Sequence, residues 1–245
     1  MTRRALTGVL SLLFTLLVPA IATAQQAQPE LKIDDAPTTP VQLLLLFGVM
    51  AILPGLVFAL TAFPRILIVL SFVRQALGTP STPPNQLLIG IAMFLTIFVM
   101  SPTFVQVKDR AVDPYMDKKI TFNTALERGQ EPIRTFMFKQ TRPKDLALFV
   151  RLSKSERPKT RADIKTHVLI PAFLTSELKT AFQIGFLVYL PFLVIDLVVA
   201  STLLGIGMMM LPPPLISLPF KLLLFVLVDG WHLIFEALVN SFNTS

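Results

Sequence analysis

Four long apolar stretches restrict the fold of this chain more than any other feature. The first, 41–63, holds 23 residues without a charge, and a helix of that length at 1.5 Å per residue crosses a hydrocarbon layer of ~30 Å. The others cover 87–105, 180–211 with Asp196 as its one charge, and 216–242. In apolar surroundings a helix satisfies its backbone hydrogen bonds internally. We therefore predict an all-α fold with about four apolar helices.

The first two stretches predict a helical hairpin over 41–105. Arg65 interrupts the first apolar run, and Arg74 closes it before the proline-rich turn 78–85. The return helix is expected to end at Ser101-Pro102, because proline disrupts a helix. Since basic residues are enriched at the cytoplasmic ends of membrane helices, both arginines are expected to mark that side.

The last two stretches predict a second hairpin over 171–245. Its first helix, within 180–211, is longer than one straight span requires. We expect that helix to be tilted, kinked at Pro191 or partly buried in protein. Pro212-Pro213-Pro214 forces the turn, after which the chain returns over 216–242 as a single helix.

A polar insert, 106–170, separates the two hairpins. Short helical patterns cover 120–128, ended by Gly129, then 132–139, and then 143–152 with a proline in its first turn. Most Lys and Arg residues of the chain lie in or beside this insert, interleaved with acids, which is typical of a solvated mixed-charge segment. The sequence predicts a small extramembrane helical insert and no nucleic-acid interface.

The N-terminus has the pattern of a secretory signal peptide over 1–24. Two arginines precede the apolar run 5–20, and Ala22 and Ala24 form a small-x-small cleavage site. Residues 25–40 then form a flexible lead-in. The alternative is an uncleaved first membrane helix, which the shortness of the apolar run disfavours.

The side of the membrane that carries the insert follows from this signal peptide. Cleavage places residue 25 outside, and two spans later the insert is outside again, although its basic residues favour the cytoplasm. The rule that keeps basic loops inside weakens for a segment of roughly 60 residues. We therefore expect a periplasmic insert.

Residues that could support catalysis are sparse. The chain has no cysteine, and its two histidines, His167 and His232, lack metal-ligand spacing. No Gly-rich phosphate loop or nucleophile elbow is present, so we expect no enzyme activity and no cofactor. The best enzymatic alternative is an intramembrane aspartyl protease, in which Asp196 and Asp229 lie at similar depth on antiparallel helices.

Charges within the last two apolar stretches favour a structural role instead. They are Asp196, Lys221, Asp229 and Glu236. An ionisable side chain in an apolar helix is costly unless it is paired, and we expect these to pair between helices or between subunits. A proton relay is the alternative function for the same residues.

Three successive methionines, Met208, Met209 and Met210, lie at the tip of the second hairpin. Methionine is unbranched and adaptable, so several copies around one axis could close on an irregular object. Ordinary apolar filling of a turn is the alternative interpretation.

Several strings over about 41–242 resemble the FliP family of flagellar export-gate proteins and its injectisome counterparts in type III secretion. The strings are RQALGTP at 74–80, PPNQ at 83–86, FVMSP at 98–102, KQTR at 139–142, TSELKTAFQIGF at 175–186, GMMM at 207–210 and PFK at 219–221.

The resemblance implies a non-catalytic gate subunit in the bacterial inner membrane, within the flagellar basal body. A homo-oligomer, pentameric in the family, would assemble with FliQ and FliR, near FlhA and FlhB, and conduct unfolded flagellar subunits. The family also implies that these helices lie largely above the bilayer, so that four spans describe an insertion intermediate. The alternative to such a gate is a small-solute channel or transporter that works alone.

Site residues follow from the same resemblance. Met208, Met209 and Met210 would form a gasket that narrows the conduit. Asp196, Lys221 and Asp229 would belong to a set of buried assembly charges, together with Glu177 and Lys179 at the entry to the third apolar helix.

Overall fold

The computed structural model describes residues 40–153, 158, 160–161, 163–208 and 210–243. The predicted signal peptide with Ala22 and Ala24, the lead-in up to residue 39, and Met209 lie outside these residues.

The described part of the chain is helical and contains no strand, which confirms the predicted all-α fold. Its elements are α1 (Pro40–Ala59), α2 (Phe63–Ala76), α3 (Asn85–Val107), a π-helical turn (Lys108–Val112), α4 (Asp113–Met116), α5 (Phe122–Gln140), α6 (Pro143–Leu152), α7 (Thr166–Gly205), α8 (Pro213–Leu227) and α9 (Gly230–Asn243).

The chain divides into two compact units, Met1–Met50 and Ala51–Ser245. The described residues of the first unit belong to α1, where large apolar side chains such as Leu44 and Phe47 are exposed. The second unit contains the end of α1 and all the later helices.

Helix α2 lies at the centre of the second unit. Ile66, Val69, Leu70 and Val73 are fully buried and share one face at helical spacing. This face packs mainly against α7 and also against α3. A second, smaller core joins Met137 of α5 to the beginning of α7.

The first apolar run forms two helices rather than one. α1 ends at Ala59, and α2 begins at Phe63 with Pro64 in its first turn. Because proline has no N–H to continue the preceding helix, it favours a new start here. Thr61 stabilises the break, as its hydroxyl donates to the Phe58 carbonyl at 2.9 Å.

The return helix does not end at Ser101-Pro102, as the sequence predicted. α3 passes through Pro102 and leads into the π-helical turn and α4 without a break in helical structure. Packing of this run on α5 compensates for the hydrogen bond that Pro102 cannot donate.

Gly129 does not end a helix either, because α5 runs continuously through it and through Pro132. A Cβ atom at Gly129 would lie 3.3 Å from the Cβ of Ala111 in the π-helical turn. The glycine therefore permits close approach of two helices. The predicted helix over 143–152 is confirmed as α6.

The second apolar half contains one very long helix and one bent pair. α7 is 40 residues long and begins at Thr166, within the predicted insert. The single return helix predicted over 216–242 is wrong, since α8 and α9 meet at 65° around Val228 and Asp229. Asp229 has a φ of 49°, and a Cβ at Gly230 would lie 2.3 Å from the Phe225 ring.

By length and composition, three helical segments among the described residues can cross a membrane. They are Gln42–Ala59, Asn85–Met116 and Thr166–Gly205, and the bent α8–α9 pair would make a fourth if it is one span.

Candidate functional site

The largest fully buried side chain among the described residues is that of Arg65 on α2, which is 1% exposed. Its Nε donates to Oε2 of Glu177 at 2.8 Å, and Nη2 donates to the other carboxylate oxygen. Nη2 also donates to Oε1 of Gln140 at 3.0 Å, while Nη1 donates to the Ser241 carbonyl and hydroxyl, both at 3.0 Å. The Phe242 ring lies 3.9 Å from the guanidinium carbon. We call these five residues the Arg65 site.

The structure places Arg65 differently from the exposed end of a span that its sequence pattern suggests. Its side chain is buried against a fully buried carboxylate, Glu177, while its position on the cytoplasmic side stays a prediction. Helical spacing was the pattern that could have indicated this, since Arg65, Val69 and Val73 share one face of α2. Glu177 was expected to be a buried charge, and its burial in the structure agrees with that expectation.

A polar set beside the Arg65 site ties the beginning of α6 to α7. The hydroxyl of Ser176 accepts from the Arg142 backbone N–H at 3.0 Å and donates to Asp145 at 2.7 Å. The Arg142 side chain donates to Thr180 at 3.0 Å and to Gln183 at 2.7 Å. Sequence reasoning missed these residues as a site, although the strings at 139–142 and 175–186 contain all of them except Asp145.

The second buried ion pair joins α7 to α8 near the hairpin tip. The Lys221 ammonium donates to Oδ2 of Asp196 at 2.6 Å, and Ser217 donates to Oδ1 at 2.5 Å. Lys221 is buried, whereas Asp196 is about a third exposed. The carboxylate therefore keeps access to its surroundings while both of its oxygens have a partner in the same chain.

The carboxyl end of α2 also faces Lys221. A Cβ at Gly78, which ends the helix with a φ of 74°, would lie 3.9 Å from the Lys221 nitrogen. Because helix carbonyl ends carry partial negative charge, this end of α2 adds to the attraction of Asp196 for the ammonium.

Three charges in or beside the last two apolar stretches are exposed in the described chain. Asp229 lies in the bend between α8 and α9, and Glu236 lies on α9. Lys179 is exposed on α7 and is not a buried charge of the described chain. Asp229 adopts a left-handed backbone conformation between the two helices, which the apolar sequence pattern does not show. This conformation explains why Asp229 lies in a bend and not within a helix.

The aspartyl protease interpretation is not supported by this geometry. Asp196 pairs with Lys221, and Asp229 lies eight residues beyond that lysine, about 12 Å along a helix axis. The two carboxylates therefore have different surroundings. The described residues also contain no group of three or more His, Asp or Glu side chains arranged to hold a metal.

The hairpin tip is built by a glycine that ends α7 and a proline that starts α8. Gly207 has a φ of 79°, and the Met208 N–H donates to the Leu203 carbonyl at 2.9 Å, which closes the helix end. Pro212 precedes α8 in an extended conformation. Between them Met208 is exposed, and Met210 is 98% exposed.

Apolar side chains on the second hairpin are exposed on both helices. An open groove of about 490 Å³ runs between α7 and α8, lined by Val194, Ile195, Val198, Val199, Thr202, Leu203, Ile216 and Phe220. A contiguous apolar surface of this kind marks contact with protein or lipid. Asp196, Ser217 and Lys221 of the same hairpin, in contrast, contact each other within the chain.

Comparison with known proteins gives consistent matches. The model of the FliP family matches residues 46–238. A flagellar biosynthetic protein FliP of Bacillus subtilis is 56% identical over 205 residues, which cover 84% of this chain and 93% of that protein. A protein of the same name from Caulobacter vibrioides is 48% identical over 243 residues, covering 98% of this chain and 91% of its own. The one from Pectobacterium carotovorum is 55% identical and covers 84% and 80%.

Proposed function

Because the chain belongs to the FliP family of flagellar biosynthetic proteins, we propose that it is a pore or gate subunit of the flagellar type III export apparatus. In this role it conducts unfolded flagellar subunits and catalyses no reaction. It acts in the inner membrane and basal body, with its insert on the periplasmic side.

One observation supports the proposal best, which is the exposed apolar surface of the second hairpin. Leu193, Leu197 and Leu204 on α7 and Leu223 on α8 are all exposed. A subunit that worked alone in water would not keep such a surface, whereas neighbouring helices or lipid would cover it. The sides of the hairpin are thus suited to neighbours, and its tip carries the methionines.

The internal pairing of Lys221 with Asp196 fits this role. A charge that is already satisfied within its own subunit lets the hairpin pack against other helices at low electrostatic cost. The contacts between subunits would then be mainly apolar, with charges serving to fix the two helices of each hairpin. Of the two expectations for these charges, pairing between helices and pairing between subunits, this pair fits the first.

The partners follow from the proposed family role. Several copies of the chain form a homo-oligomer, pentameric by resemblance to the family, and pack with FliQ and FliR, with FlhA and FlhB nearby. Membrane lipid covers the apolar surface that the partners leave open. Energy for export would come from other parts of the machine.

Native mass spectrometry tests the assembly directly. The tagged chain would be expressed with candidate FliQ and FliR proteins and purified in mild detergent. We expect one discrete complex that contains several copies of this chain and both partners. A monomer or simple dimer that ignores both partners would contradict the gate role and favour an independent transporter.

Substitution of the tip methionines tests the gasket. In a strain that depends on this chain, replacing Met208, Met209 and Met210 with alanine should raise ion leakage and alter export, while the assembled complex keeps its mass. Alanine is too short to fill the space that flexible methionine side chains close. Replacing exposed Lys179 with alanine is the control. Unchanged leakage and export in the triple variant would show that the gasket assignment is wrong.

A further inference from the structure

Every N–H group of the Arg65 guanidinium has a partner. A guanidinium carries five N–H donors in a fixed planar fork, and the contacts from Nε, Nη1 and Nη2 use all five. Lysine at this position would offer three donors from one nitrogen and could not reach the same partners. The geometry of the site therefore requires arginine and not only a positive charge.

The five donors divide between two parts of the molecule. Three go to Glu177 on α7 and Gln140 on α5, and the two on Nη1 go to Ser241 at the end of α9. The charge is thus neutralised by Glu177 whether or not α9 is in place. The two Nη1 donors form a separate edge of the guanidinium, and their acceptors are supplied by Ser241 of α9.

The carbonyl end of α9 is suited to that edge. The last four carbonyls of a helix have no partner within it, and this end carries partial negative charge. The Ser241 carbonyl accepts from Arg65, and the Phe242 carbonyl accepts from Nε2 of Gln140 at 3.0 Å. The Phe242 ring covers the face of the guanidinium, which adds a cation–π contact.

The rest of α9 is attached by one narrow stripe. Gly230, Ile234, Leu238 and Phe242 are buried at four-residue intervals, while Leu233 and Glu236 are exposed. Along its length α9 packs mainly on α8 and α3. The chain enters α9 through the sharp bend at Asp229, and the Arg65 site supplies polar contacts to its far end.

We propose that the Arg65 site is a latch that closes the subunit by capturing the carbonyl end of α9. The first hairpin, the insert and α7 form the receiving side, with the Arg65–Glu177 pair already made. Docking of α9 adds the Ser241 and Phe242 carbonyls to this site. Opening of the latch frees α9 to move about the bend while the buried charge pair stays intact.

Hydrogen exchange on the full chain in detergent tests the latch. Gln140→Leu removes the donor to Phe242 and one acceptor of Arg65 but leaves the Arg65–Glu177 pair. We expect amides in 236–243 to exchange about tenfold faster, and those in 169–181 to be unchanged, because each lost hydrogen bond changes a local opening equilibrium severalfold. Arg142→Lys, whose side chain contacts α7 and not α9, is the control.

A milder variant keeps the test decisive if Gln140→Leu folds poorly. Ser241→Ala removes one acceptor of Nη1 at the edge of the site, and we expect a severalfold increase in exchange confined to the same amides. Faster exchange spread equally over α2, α7 and α9, or no change in α9, would overturn the latch.

A deletion separates the latch from a general contribution to the core. Trp231 is the one tryptophan and lies at the start of α9 against Phe225, with ring centroids 5.3 Å apart, so its fluorescence reports on this helix. In a chain that lacks residues 241–245, Gln140→Leu should have a smaller effect on unfolding followed by Trp231, because only its contact with Arg65 remains to be lost. Full additivity of the substitution and the deletion would show that Gln140 acts elsewhere.

Discussion

The two halves of α7 lie in opposite surroundings. Residues 166–185 contribute eight buried residues, whereas residues 186–205 contribute two, Phe192 and Leu203. The enclosed half is the more polar one in sequence, with Ser176 and Glu177 at its centre, and the open half is almost wholly apolar.

A helix of a water-soluble protein buries an apolar face and exposes a polar face along its whole length. In α7 the half with more polar residues is packed by its own chain, whereas the almost wholly apolar half is mostly exposed in the single subunit. Hydropathy alone would assign both halves to the same surroundings.

The largest effect on stability is expected when Glu177, the charge partner of Arg65 in the enclosed half, is replaced. Glu177→Leu should lower the free energy of unfolding in detergent by about 3–5 kcal/mol, because it leaves a buried arginine without an anion. Unfolding is followed by circular dichroism. Lys179→Ala, two residues away and exposed, is the control and should change it by less than about 0.5 kcal/mol. Equal losses of unfolding free energy in Glu177→Leu and Lys179→Ala would mean that the Arg65–Glu177 pair does not stabilise the enclosed half.

A smaller effect is expected where Phe72 of α2 packs on Gly185 of α7. Gly185→Ala should cost about 1–3 kcal/mol, because its Cβ would lie 2.6 Å from the Phe72 ring and force that ring to move. Gly205, at the end of the open half, has nothing within 4 Å of such an atom. Gly205→Ala is therefore the matched control, measured by the same unfolding assay. If it destabilised as much as Gly185→Ala, close packing would not distinguish the halves.

The smallest effect on the isolated subunit is expected in the open half. Leu197 is 65% exposed, so Leu197→Ala should change the free energy of unfolding by less than about 0.5 kcal/mol. The same change should lower the yield of the assembled complex measured by native mass spectrometry. Fully buried Leu169→Ala, which should cost about 2–5 kcal/mol, is its counterpart in the enclosed half. A large loss for Leu197→Ala in the isolated subunit would contradict an open surface.

Sequence reasoning predicted the elements well where local chemistry decides them. Apolar runs predicted the long helices, and Pro143 in its first turn predicted α6 with its observed bounds. It failed where packing between distant segments overrides a local preference. Gly129 and Pro132 both disfavour a helix interior, yet α5 continues through them because it packs on the turn that contains Ala111.

The Arg65 site shows why a polar site is harder to predict than a helix. Arg65 and Glu177 are 112 residues apart, and no local pattern links them. An arginine between two apolar runs has the same sequence pattern as a membrane boundary. Only its position on the buried face of α2 distinguishes the two, and that requires knowing where α2 begins.

The length of α7 has a consequence for how the protein meets a bilayer. Forty helical residues extend about 60 Å, twice the ~30 Å thickness of a hydrocarbon layer. A straight and upright α7 can therefore have only about half of its length within that layer. The half with most of the buried residues ends at about residue 185, where the Phe72 ring packs on Gly185. One continuous helix therefore has two kinds of surroundings. Its first half is packed by other helices of the same chain, and its second half depends on lipid or on other subunits for covering.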